Sequence, residues 1–344
     1  MKGKKSWVAL KLDMEKAYDR VEWVFLLEAL KKIGFHPKWI GWIKECVTTV
    51  SYSIIVNDEV YGFFKPTRGL RQGDPLSLYL FLICMKVLTR TLRIAQLNKK
   101  SSIGFKITPK ADKISCLLFT DDSLLFCRTN LESCRHLSIL LSKFCQSSGQ
   151  LINFHKSSLT FSKNATAHGK QIVSSVFNIT HQESLGKYLR CPVFNGWPIA
   201  ATFVDLVKKT ASKLQPWKAK HISKAGQVAL IQANIESMSA HTMQCFQLPR
   251  TTTPDIDSIS RKFFWKKSDD SHGLPMVSWD KICRPKKAGG LSLRKMMAVN
   301  SAFLSKLTWK LFHGQSFGVN QMKDKYPING DFFNIEPKIG DSLV

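Results

Sequence analysis

Acidic residues are the scarce class in this chain. Its 344 residues hold 25 Asp and Glu against 51 Lys and Arg, a formal net charge of +26. That deficit lies far outside ordinary soluble enzymes and implies a polyanionic partner, most simply nucleic acid. A membrane surface is the rival partner. It is disfavoured because the basic residues are spread along the chain instead of forming one juxtamembrane block. Long apolar runs are also missing. The longest stretch, Pro75 to Leu88, is short and is broken by Lys86, so no transmembrane span and no membrane partner are expected. No secretory signal is expected, because Asp13 interrupts the N-terminal apolar run. No C-x-x-C pair occurs, which removes the usual zinc signature. The cysteines at 46, 84, 116, 127, 134, 145, 191, 245 and 283 are odd in number, and most sit in apolar runs. They read as reduced thiols in an intracellular protein, nuclear or cytoplasmic and not secreted. Neither an internal repeat nor a low-complexity segment is present.

What is present suffices for two folded domains, because 44% of the residues are hydrophobic. Up to about residue 160, strand and helix signals alternate. Val8 to Leu12 reads as a strand, and Val21 to Ile33 as a helix stopped by Gly34. A second helix is expected from Pro37 to about Val50, then a hairpin of 51–56 with 60–64 across Asn57-Asp58-Glu59. Asp74-Pro75 opens a long apolar helix to about Ala95, and Leu131 to Ser147 forms another, capped by Gly149. A strand is expected at Leu151-Ile152-Asn153-Phe154. This alternation suggests an open sheet with helices on one face. Beyond Tyr188 the signals are helical, at about 199–215, 224–246, 255–265 and 299–313. Residues 151–254 carry 12 Lys and Arg against 3 Asp and Glu, so this arm is especially basic. Trp197, Trp217, Trp265, Trp279 and Trp309 are expected to be core anchors.

The chemistry concentrates where two apolar runs flank a carboxylate pair, Leu117-Leu118-Phe119-Thr120-Asp121-Asp122-Ser123-Leu124-Leu125-Phe126. The runs read as a hairpin with Asp121-Asp122 at its turn. An ordinary polar turn would also favour Asp. A third carboxylate, Asp13, is delivered at the end of the Val8 to Leu12 strand. Three carboxylates on neighbouring strand ends make an oxygen-ligand cage for magnesium. Such cages support two-metal phosphoryl or nucleotidyl transfer.

Three segments together resemble one family. Leu10-Lys11-Leu12-Asp13-Met14-Glu15-Lys16-Ala17-Tyr18-Asp19-Arg20-Val21-Glu22-Trp23 is similar to motif A of reverse transcriptases. Arg68-Gly69-Leu70-Arg71-Gln72-Gly73-Asp74-Pro75-Leu76-Ser77 resembles motif B, and Phe119-Thr120-Asp121-Asp122 resembles motif C. Order and spacing fit over about residues 5–195, most closely to LINE-type, non-LTR retrotransposons of plants. Trp217-Lys218-Ala219-Lys220 and Lys287-Ala288-Gly289-Gly290-Leu291 resemble the C-terminal part of such elements.

The resemblance implies an α+β fold. A ferredoxin-like polymerase palm, an antiparallel sheet with helices on one face, would span 1–195. A mostly helical, basic thumb and connector would span 196–344. It implies RNA-directed DNA polymerisation, with an RNA template, a DNA primer and deoxynucleoside triphosphates as partners, and it names no protein partner. Asp13, Asp121 and Asp122 would be the catalytic ligands of two Mg²⁺ ions, with Mn²⁺ as a substitute. Lys156, with Asn153, resembles motif D and would stand near the leaving pyrophosphate. Tyr18 would be the steric gate against a ribose 2′-hydroxyl; packing of helix onto sheet is its other reading. Gln72 and Gly73 would face the nascent base pair, and Arg71 a template phosphate. Asp19 is expected to cap the following helix. Tyr188 and Leu189 fall in a segment resembling the primer grip.

Several positions depart from the pattern. Thr120 replaces the usual small Ala, and as a β-branched residue it suits a strand. Leu78 stands where plant relatives carry Pro. Arg190 replaces a primer-grip glycine, which matters if that position needs positive φ. Met1 stands twelve residues before Asp13, so the family's fingers and the upstream endonuclease are not expected in this chain. The alternative function is therefore a catalytically incomplete nucleic-acid-binding fragment of a decayed retroelement. Group II intron maturases are more distant, because the motif-A run Lys16 to Trp23 argues against them.

Overall fold

A computed structural model describes residues 5–97, 102–194, 198–215, 222–265 and 274–326. The chain divides into two compact units, Met1–Leu185 and Gly186–Val344.

In the first unit the strand β1 (Trp7–Leu12) alternates strictly, burying Val8, Leu10 and Leu12 and leaving Trp7, Ala9 and Lys11 half-exposed. Period-two alternation of this kind gives a sheet one packed and one open face. Helix α1 (Trp23–Ile33) ends where Gly34 adopts φ 100° and returns its N–H to Leu30 and Lys31. Pro37 supplies the first position of α2 (Pro37–Thr48), whose cap is the His36 ring. Asp74 opens α3 (Pro75–Leu97), its carboxylate accepting from Leu76 N–H at 2.9 Å. The hairpin β4 (Cys116–Phe119) and β5 (Asp122–Arg128) then leads into α4 (Leu131–Ser148), β6 (Ser158–Phe161) and α5 (Ala167–Phe177).

The four strands form one antiparallel sheet in the order β4-β5-β1-β6. With helices between the first and second and between the third and fourth strands, this is the ferredoxin-like arrangement. It bears out the expected α+β palm. Helices α1, α3 and α4 pack together, and their apolar side chains join Leu10, Leu12, Leu125 and Leu159 in one core. A separate two-stranded sheet, β2 (Tyr52–Val56) with β3 (Glu59–Phe64), turns through Asn57 and Asp58, both at positive φ.

The strand expected at 151–154 is absent. There Met14 and Ile152 share only an isolated bridge, and the sheet's edge strand is β6 instead. The Asn153 side chain accepts the Lys156 N–H and the Ser157 hydroxyl donates to the Asn153 carbonyl, so the chain turns instead of extending. Helix α5 was not foreseen, although Thr166 caps it and Val173 and Phe177 bury one face.

The second unit begins with a short hairpin, β7 (Lys187–Tyr188) and β8 (Cys191–Pro192), and continues in helices. Those at Val204–Lys213, Lys224–Ile231, Ser237–Met243, Thr252–Trp265 and Met296–His313 bear out the helical reading, and Phe317–Lys325 adds another. Phe203, Ile231, Met243, Ile256 and Phe263 form the core. Trp265 and Trp279 pack against it, but Trp309 does not: it is 67% exposed and stacks on His313. Trp197, Trp217 and the segment 217–220 lie outside the described residues. No helix among the described residues is long and apolar enough to cross a membrane.

Candidate active site

The sheet register sets the carboxylates side by side. Leu12 pairs with Ser123, so one step further along the same antiparallel register Asp13 comes opposite Asp122. Asp121 lies in the two-residue turn between Phe119 and Asp122. Alternation puts Asp13 and Asp122 on the face that carries Lys11, the open one. The neighbouring charges act on the Asp122 carboxyl. Burial raises the Asp122 carboxyl above its ordinary range, Asp121 raises it further, Lys11 opposes the rise and Asp13 adds to it. Thr120, expected to extend the strand, instead sits in the turn with φ 51°. A β-branched residue in that region is uncommon and strained.

Tyr18 stands at the same site. Its ring stacks on Phe81 of α3, centroids 4.9 Å apart, and burial first and Asp121 second raise its phenol. The motif-A loop that carries it is fastened on two sides. Leu70 N–H donates to the Tyr18 carbonyl at 2.8 Å and Gly69 N–H to that of Val21 at 2.8 Å. On the other side Gln150 donates to the Ala17 carbonyl at 2.8 Å, and Glu22 N–H to that of Ser148 at 3.0 Å. Gly69 is fixed by geometry. At φ 97° a Cβ there would lie 2.7 Å from the Asp19 carbonyl oxygen. Asp19 does not cap α1: that cap is Glu22, which makes no side-chain cap bond. Asp19 lines a cleft of about 780 Å³ together with Arg71 and Gln72. Gly73 follows with φ 85° and open space around it. This cleft is not lined by the three carboxylates.

The turn at 153–157 also reaches the site. Asn153 N–H donates to the Asp13 carbonyl at 2.9 Å, and the Ser157 hydroxyl accepts from Asp13 N–H at 3.2 Å. Lys156 is exposed on this turn. Ser157 and Gln150 escaped the sequence reading, because a lone Ser or Gln gives no signal until the fold brings it to a loop. Tyr188 and Leu189 belong to the β7–β8 hairpin of the second unit. Its turn residues Leu189 and Arg190 both have positive φ, 50° and 64°, so Arg190 does occupy a position that favours glycine. The His241 ring bonds to the Leu189 carbonyl at 2.7 Å.

Among the described residues no group of three His, Cys, Asp or Glu side chains is arranged to hold a metal ion by itself. The donor chemistry nevertheless suits a hard divalent cation. It is all carboxylate oxygen, with Asp121 and Asp13 both acting on Asp122, and a hard cation held by few protein carboxylates would complete its shell with water and ligand oxygens.

Residues 1–191, which contain every one of these carboxylates, match the family described as reverse transcriptase (RNA-dependent DNA polymerase). The chain belongs to the reverse transcriptase family. Its relatives agree with the motif reading. A putative ribonuclease H protein of Arabidopsis thaliana is 34% identical over 32% of this reverse transcriptase chain and 18% of its own length. An uncharacterised 149 kDa protein of transposon TX1 from Xenopus laevis is 24% identical over 74% of this chain and 19% of its own. A Pol polyprotein from a type-1 retrotransposable element R2 of Popillia japonica is 33% identical over 36% and 19%. The chain thus spans under a fifth of the length of each of these relatives. The last two bear out the kinship with LINE-type elements.

Proposed function

We propose that this chain carries the palm of a non-LTR retrotransposon polymerase and extends a DNA primer on an RNA template. The observation that carries this reading is the meeting of Asp13, Asp121 and Asp122 at one end of the family's sheet. Asp13, Asp121 and Asp122 would hold Mg²⁺, two ions in the full reading, with Mn²⁺ as a substitute. Bound metal supplies charge stabilisation for the attacking hydroxyl and the leaving pyrophosphate. Tyr18, its ring stacked on Phe81 and its phenol within electrostatic reach of Asp121, excludes the ribose 2′-hydroxyl and so selects deoxynucleotides. Gln72 and Gly73 meet the nascent pair, Arg71 holds a template phosphate, and Lys156 stands by the leaving group from the turn bonded to Asp13. In the second unit, Tyr188 and Leu189 contact the primer. The nine free thiols support an intracellular setting, nuclear or cytoplasmic. The test is primer extension on homopolymer RNA with Mg²⁺ and deoxynucleotides. Template-dependent synthesis is expected, and none under any metal would refute the polymerase reading for this chain.

A second reading is favoured by one observation: β2–β3 exposes Ile54, Ile55, Val60, Tyr61, Phe63 and Phe64 on both of its faces. An isolated hairpin is marginal in water, so this surface calls for a covering segment. On that reading the chain binds primer–template and extends it weakly until a segment from a related element that covers this hairpin is supplied. Rescue of Mg²⁺-dependent synthesis by that segment is the expected outcome. Failure of rescue with binding intact would favour the decayed-fragment alternative.

A further inference from the structure

We propose that Trp309 and His313 form a stacking platform for the unpaired bases of a single-stranded nucleic acid, flanked by Lys306 and Lys310. The setting is an acid-free stretch of the second unit. From Lys281 to Lys323 the chain carries nine Lys and Arg and no Asp or Glu. Lys295 finds a carboxylate partner only outside that stretch, in Asp280 at 2.8 Å. The helix Met296–His313 runs through it, and its Lys306, Trp309, Lys310 and His313 are all exposed. Spacings of three and four residues put Lys306, Trp309 and His313 on one side of the helix, with Lys310 next to them.

A single exposed aromatic is ordinary on a protein surface. Trp309 differs because it is held in place while 67% of it stays open to water. The His313 ring lies on it, centroids 4.0 Å apart and planes 23° from parallel. The imidazole is fixed in turn, its Nδ1–H donating to the Trp309 carbonyl at 3.1 Å. The helix end that carries the pair is closed by Lys323, whose Nζ donates to the Phe312 and Gly314 carbonyls at 3.3 and 3.2 Å. Lys323 is therefore committed there, and the cations left beside the rings are Lys306 and Lys310. A ring pair ordered before its ligand arrives loses little side-chain freedom on binding. Every unpaired base offers such a ring its π-face, and the flanking lysines attract the phosphates, so this recognition tolerates sequence. In a duplex the base faces are already stacked on one another, which makes the platform selective for single strands. An acidic protein segment would use the lysines alone; the ring pair is what favours a strand. The assignment rests on nucleic acid being the partner of this chain, and it needs no polymerase activity.

The test measures binding of a short labelled oligothymidylate to the full chain by fluorescence anisotropy. Trp309→Ala should weaken binding by about 5- to 150-fold, the span that loss of one stacked base produces. Trp309→Phe keeps a ring and should retain most of the affinity. An abasic strand with the same number of phosphates should bind the parent and Trp309→Ala chains alike. A readout without any variant is photo-crosslinking of a strand carrying 5-iodouracil, with the adduct expected on the tryptic peptide Leu307–Lys310. Equal oligothymidylate affinity in the parent and Trp309→Ala chains would overturn the platform, as would an equal loss on the abasic strand or an adduct confined to other peptides. Polyglutamate that displaces the strand as well as unlabelled oligothymidylate does would also overturn it, in favour of an acidic protein. Primer extension is scored separately, so a chain that binds strands through Trp309 without synthesis would refute only the polymerase reading. A parent chain that binds no strand at all would refute the nucleic-acid partner and the platform with it.

Discussion

Asp121 sits in a two-residue turn with a strained Thr120 on one side and the raised carboxyl of Asp122 on the other. The role proposed for it rests on its charge, so the isosteric amide is the sharpest probe. In any preparation that polymerises, Asp121→Asn should lose about a thousandfold in rate, several kcal/mol of transition-state stabilisation. Primer–template affinity should hardly change. Undiminished extension by that variant would remove Asp121 from the site. Tyr18 carries a different expectation, because its ring touches Phe81 and stands near Asp121 at once. Tyr18→Ala should admit ribonucleotides, read as a changed ratio of ribo- to deoxynucleotide incorporation. An unchanged ratio would return Tyr18 to a purely packing role.

The site is built by short elements that grip the motif-A loop, and the C-terminus of α4 is one of them. Gly149 ends that helix at φ 77°, where a Cβ would lie 2.3 Å from the Arg20 carbonyl oxygen, and the Arg20 side chain donates back to the Gly149 carbonyl at 3.1 Å. Gly149→Ala should therefore destabilise the first unit by roughly 1–3 kcal/mol through backbone strain alone, and by more through the clash. A denaturant titration would show it as a lowered midpoint. Gly149 was legible in sequence as a helix stop, and so were Gly34, Asp74-Pro75 and the carboxylate hairpin, because each is a local signal. Its second role against Arg20 was not, since that contact joins distant segments. The same limit explains β6: Asn153 and Ser157 turn the chain by bonding to Asp13, a partner far away in sequence. In the second unit Asp257 accepts the Met296 N–H at 3.2 Å, at the start of the helix Met296–His313. Burial first raises its carboxyl to about 6, against opposition from that hydrogen bond, Lys295 and Arg261. A raised acid favours folding fully below its unfolded value of 3.8, and the contribution is lost as pH rises through about 6. Asp257→Asn keeps an acceptor and should remove this pH 4–6 slope from thermal melts, gaining relative stability above pH 6. An identical slope in the variant would show that Asp257 does not set it.

Across the whole molecule the dominant quantity is charge, and neither unit's core explains it. A net +26 on 344 residues cannot be neutralised internally by 25 acids, and few ion pairs of the described residues are close. Lys187–Asp205 and Lys295–Asp280 are exposed pairs of the kind that contribute little to stability. The basic excess is therefore available for a polyanion, and residues 151–254 supply part of it, with 12 basic against 3 acidic side chains. Contacts to phosphates release condensed counterions, so the affinity of the full chain for a labelled primer–template should fall steeply with salt and depend little on sequence. If about 6–10 phosphates are contacted, the loss between about 50 and 200 mM salt is about 10³- to 10⁵-fold. Replacing Lys163, Lys170, Lys208 and Lys209 together should flatten the plot of log affinity against log salt while leaving the Mg²⁺ dependence of any synthesis in place. A plot that is already flat in the parent chain would mean that these lysines only keep the protein in solution. The polyanion would then have to be held by uncharged contacts, which the composition of this chain does not favour.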